Sequence, residues 1–381
     1  MGTGMGMDMG KDAGMGRGTE MGLDRSIWAR GLTRTFADMT AVDGVDLTID
    51  SGRIFGFLGP NGSGKTTMVR MLTTILKPSA GSARVAGFDV SEQQGEVRER
   101  VGVALQEVGL DGLMTAREML VLQARLFRAD REQARATAER LLATVGLDNV
   151  DPKKRVGQFS GGMRRRLDLA LALVNDPLVL FLDEPTTGLD PVSRSAIWDE
   201  VRRLNREKGM TIFLTTQYLE EADKLADEVA IIDRGRIVAQ GAPEALKRGI
   251  GNEVVKFTFA SPDAAARAGD VLSRQAPDRR LDGPSLLCYF TTAAGRLPEL
   301  IRTLDEAGLA LEGLTVSEPT LDDVFLQATG HRLSPKQAAG NGANGAAAEV
   351  GDAAGVAGAG DSADAAAEAS GRRTSKRGRR R

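Results

Sequence analysis

One short segment constrains the fold of this chain more than any other: Gly59-Pro60-Asn61-Gly62-Ser63-Gly64-Lys65-Thr66-Thr67. It fits the pattern G-x-x-x-x-G-K-[ST] and lies between an apolar run, residues 54–58, and a helix-forming run, residues 66–76. A strand, a glycine-rich turn and a helix present backbone N–H groups to an anion, which is a site for a nucleotide polyphosphate. The segment predicts that ATP or GTP binds, with Lys65 on the β- and γ-phosphates and the Thr66 hydroxyl on Mg²⁺.

Two adjacent carboxylates, Asp183 and Glu184, follow the apolar run 178–182. Paired acids at the end of a buried strand are costly unless a metal or a solvated site compensates for their charge. In nucleotide hydrolases an acid in this place holds Mg²⁺, a role that we assign to Asp183. Glu184 is then placed to orient and polarise a water that attacks the γ-phosphate.

A second candidate anion site lies between these two elements, in the segment 159–167. Ser160 can cap the following helix, and Gly161 and Gly162 expose backbone N–H groups. On its own this signal is weak, because Ser-Gly-Gly is common before helices.

Composition sets limits on the whole chain. Its 381 residues can form a sizeable core and two domains, and its net charge of −2 gives no general electrostatic case for nucleic acid. The one cysteine, Cys288, lies in the apolar run 286–290. We expect a buried strand residue there, and a single cysteine excludes an intramolecular disulfide framework or a cysteine-based metal cluster.

No run of about 18 apolar residues occurs, and the N-terminus lacks the apolar core of a signal peptide. We therefore expect a cytosolic protein that contacts a membrane only through a partner chain. The Met-, Gly- and Asp-rich residues 1–24 and the Ala/Gly-rich residues 331–381 are expected to be disordered. The basic end of the chain, residues 372–381, could be a solvated tail or could touch anionic lipid or nucleic acid.

Between these termini the pattern predicts an ATP-binding domain, residues 25–249, and a small α+β domain, residues 250–330. The first begins with strands at 27–36 and 45–49 joined by a turn at Asp43-Gly44. A charged, Ala/Leu-rich helical insertion is expected at about 115–176. Apolar runs that alternate with helices indicate a sheet buried on both faces.

In the small domain we expect strands at 254–259, 286–291 and 309–317. A helix should follow at 321–328, with Leu321, Val324, Phe325 and Ala328 on its apolar face.

The motifs taken together, and in their order along the chain, resemble the ATP-binding subunits of ABC transporters. They are Gly59–Thr67, Gln106, Ser160-Gly161-Gly162-Met163, Asp183-Glu184-Pro185-Thr186 and Gly188-Leu189-Asp190. The resemblance covers roughly residues 27–243. It implies an α/β P-loop NTPase cassette with a RecA-like core, an antiparallel β subdomain and a helical subdomain. It also implies a head-to-tail homodimer, in which each ATP lies between the phosphate loop of one copy and the Ser-Gly-Gly segment of the other.

The same resemblance implies roles for single residues. Phe36 stacks on adenine, Gln106 contacts Mg²⁺ and the attacking water, and Asp190 helps to couple the two sites. The competing interpretations, less favoured, are a plain strand residue for Phe36 and a surface loop residue for Gln106. The expected ATP-binding residues are Phe36, Gly59, Pro60, Asn61, Gly62, Ser63, Gly64, Lys65, Thr66, Thr67, Ser160, Gly161, Gly162 and Asp190. The expected catalytic residues are Glu184, Lys65, Gln217 and Gln106, and the expected Mg²⁺ ligands are Thr66, Gln106 and Asp183.

The chain departs from the family pattern at one position. The family usually has a switch histidine after the strand that follows the paired acids, and here that residue is Gln217. The only histidine, His331, is too far along the chain to replace it. Glutamine can donate a hydrogen bond to a γ-phosphate oxygen, but it carries no charge and does not titrate. We expect Gln217 to sense phosphate without a histidine pKa in the pH profile.

The segment 215–223 and the later segment 317–326 look like those of the daunorubicin-resistance type of ATP-binding protein. This narrower resemblance implies a peripheral ATPase on the cytoplasmic side of the cell membrane. It would drive export of an anthracycline-like drug through a separate ABC-2-type permease. The segment 318–326 resembles a motif thought to support assembly and coupling, and it also reads as an ordinary packing helix. Alternatives are export of another lipid or natural product, a soluble ABC ATPase acting on nucleic acid or ribosomes, and a non-hydrolysing ATP-binding regulator.

Overall fold

The computed structural model describes residues 25–37, 39–106 and 109–330. The predictions for residues 1–24 and 331–381, including the basic end and His331, lie outside the described residues. The described part has a mixed α/β fold with three sheets. No helix in it is both long enough and apolar enough to cross a membrane.

A six-stranded sheet in the order β10-β9-β3-β8-β7-β6 forms the centre of the fold. Its strands are β3 (Ile54–Leu58), β6 (Val101–Ala104), β7 (Val179–Asp183), β8 (Thr211–Thr216), β9 (Glu228–Asp233) and β10 (Arg236–Gly241). Neighbouring strands are parallel except for β10, which is antiparallel to β9 at the edge. Every residue of β3, β7 and β8 is buried, which confirms the prediction of a sheet covered on both faces.

A second, antiparallel sheet has the strand order β2-β1-β4-β5. Its strands are β1 (Arg25–Phe36), β2 (Met39–Asp50), β4 (Ala80–Val85) and β5 (Phe88–Asp89). The predicted turn at Asp43-Gly44 is wrong, because β2 continues through both residues. The register between β1 and β2 shifts there, and Gly44 takes up the irregularity at a φ of 64°. Glycine therefore marks a bulge in this strand, and the chain reverses after Phe36 instead.

Eight helices accompany these two sheets within the described ranges. They are α1 (Lys65–Leu72), α2 (Gln94–Arg100), α3 (Ala116–Leu126), α4 (Arg131–Thr144), α5 (Gly161–Ala172), α6 (Pro191–Lys208), α7 (Leu219–Leu225) and α8 (Pro243–Ile250). Thr115 and Asp130 begin α3 and α4 with capping boxes, in which each side chain accepts the N3 amide hydrogen. Buried residues of α3, α4 and α5 share one apolar core with β7, β8 and α6.

The third sheet belongs to residues 253–317 and follows a βαββαβ order. It contains β11 (Glu253–Thr258), α9 (Pro262–Val271), β12 (Arg279–Asp282), β13 (Ser285–Phe290), α10 (Leu297–Glu306) and β14 (Gly313–Ser317). The strands are antiparallel in the order β12-β13-β11-β14. The last strand was predicted at 309–317. It begins at Gly313, so residues 309–312 lie outside it. Cys288 is buried in β13, as predicted, and burial raises its pKa to about 12, so the thiol stays protonated.

The final helix, α11 (Leu321–Thr329), begins at a Thr320 cap and packs against the six-stranded sheet and α7. Leu321, Val324 and Phe325 are buried against Leu58 of β3 and against α7. The predicted apolar face is confirmed for these three residues. Ala328 is exposed, and Leu326 is buried in its place.

Candidate nucleotide-binding site

The phosphate loop connects β3 to α1, and its own surroundings require two of its glycines. A Cβ on Gly59 would lie 2.3 Å from the Ile232 carbonyl oxygen. A Cβ on Gly64 would lie 2.4 Å from the Ala41 carbonyl oxygen, and Gly64 also has a φ of 110°. The loop is therefore pressed against β9 and β2, and its backbone curves around a space that side chains would fill.

Lys65 lies inside this loop with 4% of its surface exposed. Its Nζ donates to the carbonyl oxygens of Gly59, at 2.9 Å, and Pro60, at 3.1 Å. The same atom lies 3.4 Å from Oε1 of Glu184. Burial lowers the pKa of Lys65, and the neighbouring Glu184 opposes that shift. The ammonium is thus held at the mouth of the loop by groups that phosphate oxygens could replace.

The rest of the loop presents hydroxyls and backbone to the same space. Ser63 is buried, and its Oγ has no hydrogen-bond partner among the described residues. Thr66 and Thr67, in the first turn of α1, are half-buried, whereas Asn61 and Gly62 are exposed. This arrangement is open toward solvent at the centre of the loop and closed at its two ends.

Asp183 ends β7 with no exposed surface. Its Oδ1 accepts a hydrogen bond from Thr215 Oγ1, the residue opposite it on β8. Its Oδ2 has no hydrogen-bond partner within the described part of the chain. A buried carboxylate oxygen without a donor is costly, so a cation fits this position.

The donor set suits Mg²⁺ better than a metal held by protein side chains alone. No cluster of three or more His, Cys, Asp or Glu side chains that could hold a metal occurs in the described ranges. Mg²⁺ is commonly held by one or two carboxylates, a hydroxyl, waters and substrate phosphates. Asp183 and the Thr66 hydroxyl match that pattern.

Glu184 contacts two of the other predicted catalytic residues, Lys65 and Gln106. Besides its contact with Lys65, its carboxylate accepts hydrogen bonds from Gln106 Nε2 and Thr187 Oγ1, both at 3.2 Å. Its backbone N–H is bonded to Thr215, and its φ of 49° is unusual for a residue other than glycine. Strained backbone of this kind persists only where surrounding contacts hold it, and it is common at functional sites. Three of the four predicted catalytic side chains therefore meet here.

Gln217 is the fourth. It is half-buried and directly follows Thr216, which pairs with Leu58 in the parallel register of β8 and β3. The residue therefore lies level with the start of the phosphate loop, at the carboxyl end of the sheet. Next to it, the ring of Tyr218 carries the Arg194 guanidinium at 4.6 Å.

Phe36 ends β1 and is 38% exposed. The Arg34 guanidinium lies 4.5 Å from its ring centroid. The hairpin that carries Phe36 is tied to the phosphate loop through Ala41 of β2, whose carbonyl oxygen abuts Gly64. Phe36 is thus an accessible aromatic residue on a hairpin that contacts the loop, and it is not a core residue.

The Ser160–Gly162 segment is not part of the contacts around the phosphate loop and Glu184. Ser160 and Gly161 are exposed, and Ser160 Oγ caps α5 by accepting the Met163 amide hydrogen at 3.2 Å. Asp190 is also exposed, and it caps α6 by accepting from the amide and hydroxyl of Ser193. These hydrogen bonds lower the pKa of Asp190. Among the described residues, no hydrogen bond or ion pair joins this group to the phosphate loop.

The structure adds two buried charges that were absent from the predicted site. Arg165 of α5 is 7% exposed and donates to three backbone carbonyls near Asp183. Glu221 of α7 is fully buried and accepts from Thr186 Oγ1 and Trp198 Nε1; burial raises its pKa. A signal for Arg165 existed, because it lies four and seven residues before Leu169 and Ala172 on the buried face of α5.

Comparison with known proteins matches this geometry to a family. A family model described as ABC transporter matches residues 42–187. The daunorubicin resistance ATP-binding protein DrrA2 of Streptomyces coeruleorubidus is 42% identical over 316 residues, which are 82% of this chain and 98% of that protein. The chain belongs to the ABC transporter family of ATP-binding proteins. The daunorubicin/doxorubicin resistance ATP-binding protein DrrA of Streptomyces peucetius is 41% identical over 309 residues, 81% of this chain and 93% of that protein.

Solved ABC cassettes share the fold. The cbiO1 subunit of an ABC transporter complex from Clostridium perfringens aligns with a TM-score of 0.55 and 28% identity, covering 60% of this chain and 93% of that one. A bacterial ABC transporter cassette solved as a dimer aligns with a TM-score of 0.53 and 25% identity, covering 57% and 98%. ABC cassettes homologous to this chain are ATPases coupled to transport.

Proposed function

We propose that this chain is the ATP-hydrolysing subunit of an ABC exporter for a hydrophobic, anthracycline-like drug. The convergence of Lys65 and Gln106 on the carboxylate of Glu184 carries the hydrolytic part of the proposal. The similarity to a daunorubicin resistance ATP-binding protein over nearly its full length supports the drug as the cargo.

In the proposed reaction, Glu184 orients a water molecule and accepts its proton as the water attacks the γ-phosphorus. The bond from the γ-phosphorus to the oxygen that bridges it to the β-phosphate breaks, so ADP leaves and inorganic phosphate is formed. Lys65 leaves the carbonyl oxygens of Gly59 and Pro60 and binds phosphate oxygens. Gln217 donates a hydrogen bond to a γ-phosphate oxygen and stays neutral. Asp183, Thr66 and Gln106 would hold Mg²⁺, which would supply positive charge to the phosphate oxygens. Phe36 stacks on the adenine ring.

The second half of each ATP site is proposed to come from another copy of the chain. The exposure of Ser160, Gly161 and Asp190, together with the absence of described bonds between them and the phosphate loop, supports this arrangement. The N-terminus of α5 offers free backbone N–H groups to a γ-phosphate held by the other copy. A head-to-tail homodimer would then bind two ATP molecules.

The membrane partner is proposed to be a separate ABC-2-type permease, which holds the chain on the cytoplasmic side of the cell membrane. Leu122, Leu126 and Phe127 are exposed along and after α3, and Leu113 is exposed just before it. Exposed apolar residues grouped in this way favour a protein partner. This group supports docking of the permease on the helical part, about 115–176, of the ATP-binding domain proposed for residues 25–249.

Residues 250–330 are proposed to form an accessory domain that supports coupling. Helix α11 contacts α7, which follows Gln217, and Leu58, which precedes the phosphate loop. A shift of α11 would therefore displace residues next to Gln217 and residues next to the phosphate loop. This contact supports the coupling role of the segment 318–326.

The test is co-expression of the chain with the neighbouring membrane protein, followed by measurement of anthracycline accumulation in cells. We expect lower accumulation with the wild-type chain and full accumulation with Lys65→Ala, because the phosphate contact is lost. Lys208→Ala, which removes an exposed lysine paired with Asp176 at the far end of α6, is the matched control and should export normally. ATP turnover without any effect on drug accumulation would reject the drug as cargo.

A second candidate cargo is another lipid or natural product. The Nod factor export ATP-binding protein I of Burkholderia lata is 40% identical over 305 residues, 80% of this chain and 97% of that protein. Similarity of this extent to an exporter of a different compound favours testing a glycolipid in the same cells. Export of the glycolipid alone would select this candidate.

A further inference from the structure

The buried guanidinium of Arg165 lies at the junction between α5 and the carboxylate-bearing end of β7. Its Nε donates to the Pro185 carbonyl oxygen, and its Nη2 donates to the Asp183 carbonyl oxygen, both at 2.8 Å. Its Nη1 donates to the Leu105 carbonyl oxygen at 2.8 Å and to Asp168 Oδ2 at 3.1 Å. One side chain thus holds three separate points of backbone.

The three carbonyls are not scattered. Asp183 and Pro185 are the residues immediately before and after Glu184. Leu105 immediately precedes Gln106, whose side chain donates to the Glu184 carboxylate. Arg165 therefore anchors the backbone beneath both members of the Gln106–Glu184 contact.

This anchoring acts on a residue in a strained conformation. Glu184 has a φ of 49°, which costs free energy in a residue with a side chain, so the turn tends to relax unless its flanking peptides are held. Bonds to the carbonyls on both sides of Glu184 oppose that relaxation. The hydrogen bonds from its own N–H to Thr215 hold the remaining side.

The chemistry of the contact requires arginine. A guanidinium has five N–H donors in a rigid plane and can serve several acceptors in fixed directions. A lysine ammonium carries three donors at one point and cannot reach three carbonyls on two different segments. A buried cation is also expensive even with Asp168 beside it, so an apolar residue would be the cheaper way to pack this helix.

We propose that Arg165 is a positioning residue for ATP hydrolysis, which fixes Glu184 and Gln106 through the backbone on either side of them. The proposal rests on the proposed role of Glu184 as the group that activates water. It concerns the geometry of the chemical step and leaves nucleotide binding to the phosphate loop.

The test compares Arg165→Lys with Arg166→Lys. Arg166 is a matched control, because it lies next to Arg165 on α5 and also donates to backbone carbonyls, those of Val145 and Gly146. Those carbonyls belong to the loop after α4 and not to the site. Steady-state kcat and KM for ATP are measured, with kcat expressed per nucleotide-binding site titrated with a fluorescent ATP analogue. Loss of folded protein is then not counted as loss of catalysis.

We expect Arg165→Lys to lower kcat about tenfold to a hundredfold, the range for a small misplacement of a reacting group, with KM and nucleotide affinity changed less than about threefold. Arg166→Lys should keep the wild-type kcat. A merely structural role for Arg165 predicts similar small losses in both variants, and that result would overturn the proposal. So would a parallel loss of kcat and nucleotide affinity in Arg165→Lys.

Glu184→Gln is measured in the same series to separate the two proposals. If Glu184→Gln keeps wild-type turnover, the assignment of Glu184 is wrong and the positioning role falls with it. If Glu184→Gln abolishes turnover while Arg165→Lys keeps the wild-type kcat, only the role of Arg165 is wrong.

Discussion

Two glycine-rich segments begin helices in this molecule, and their surroundings differ. The phosphate loop before α1 is enclosed by its own chain, since a Cβ on Gly59 or Gly64 would meet a backbone oxygen within 2.4 Å. The Ser160–Gly162 segment before α5 is largely exposed. A Cβ on Gly161 would meet nothing closer than Leu189 Cδ2, at 3.8 Å.

The comparison shows which part of the site depends only on this chain. The enclosed segment is joined by contacts to Glu184 and Gln106, so its geometry is set by folding alone. The exposed segment has room for a side chain at Gly161, so its own fold gives no reason for glycine there. A close approach from a second copy would supply one, which is the arrangement proposed above.

The largest expected effect tests the enclosed half. Glu184→Gln should lower kcat about 10²- to 10⁴-fold, the contribution of a general base, while ATP still binds through Lys65 and the loop. Steady-state turnover and nucleotide binding are measured together. Glu207→Gln, an exposed acid on α6, is the control and should behave as wild type. Turnover within about threefold of wild type would show that Glu184 is not the general base.

The second prediction concerns Asp168, which pairs with Arg165 on α5. This helix begins in the exposed Ser160–Gly162 segment, and Arg165 joins it to the backbone around Glu184. Burial raises the pKa of this carboxyl to about 6, and the neighbouring Arg165 opposes the shift. A raised pKa means that protonation stabilises the folded state at low pH, and that this stability is lost as pH rises through about 6. The asparagine side chain in Asp168→Asn carries no charge, so the variant should not lose this stability as the pH rises. The unfolding free energy of Asp168→Asn minus that of wild type should therefore be up to about 3 kcal/mol larger at pH 8 than at pH 4. Denaturant melts of both proteins at the two pH values measure it, and a pH-independent difference would contradict it.

The third prediction concerns Gln217, at the edge of the enclosed half. Gln217→Ala should lower kcat about tenfold, because one hydrogen bond to a phosphate oxygen is lost. Gln217→His should retain activity and add a titration near pH 6.5 to the pH profile. If the alanine variant matches wild type, Gln217 has no part in hydrolysis and is not one of the catalytic residues.

The smallest expected effect concerns Phe36, an exposed residue at the end of β1. Phe36→Ala should raise KM for ATP by about threefold to tenfold and leave kcat unchanged, since stacking contributes about 0.5–1.5 kcal/mol to binding. Phe36→Tyr, which keeps the ring, is the control. Equal KM values for alanine and wild type would identify Phe36 as an ordinary strand residue.

The sequence predicted the enclosed half well because local patterns determine it. The glycine pattern and the apolar run before the paired acids depend only on neighbouring residues. The structure places them at the carboxyl ends of β3 and β7, two parallel strands that flank β8, so both lie at the same edge of the sheet. The contacts among Lys65, Gln106 and Glu184 join residues up to 119 positions apart, and only the motif order along the chain indicated them.

The misses have physical causes. Asp43-Gly44 was interpreted as a turn because the same dipeptide serves a bulge or a turn, and strand pairing decides between them. Ala328 was placed on the buried face of α11 from its spacing, but the helix ends one residue later and leaves it exposed. Arg165 was not among the residues predicted for the site. Its burial depends on carbonyl groups that come from two other segments.

The most direct test of the central claim, that each ATP site is shared by two copies, uses Gly161→Asp. An aspartate there has room within its own chain and lies at the N-terminus of α5, where a negative charge stabilises a helix. It would oppose the γ-phosphate of a second copy. In the Glu184→Gln background, which should retain ATP, light scattering should show an ATP-dependent dimer that Gly161→Asp abolishes, with nucleotide binding and melting temperature unchanged. Dimers that form equally well with Gly161→Asp would contradict the shared site.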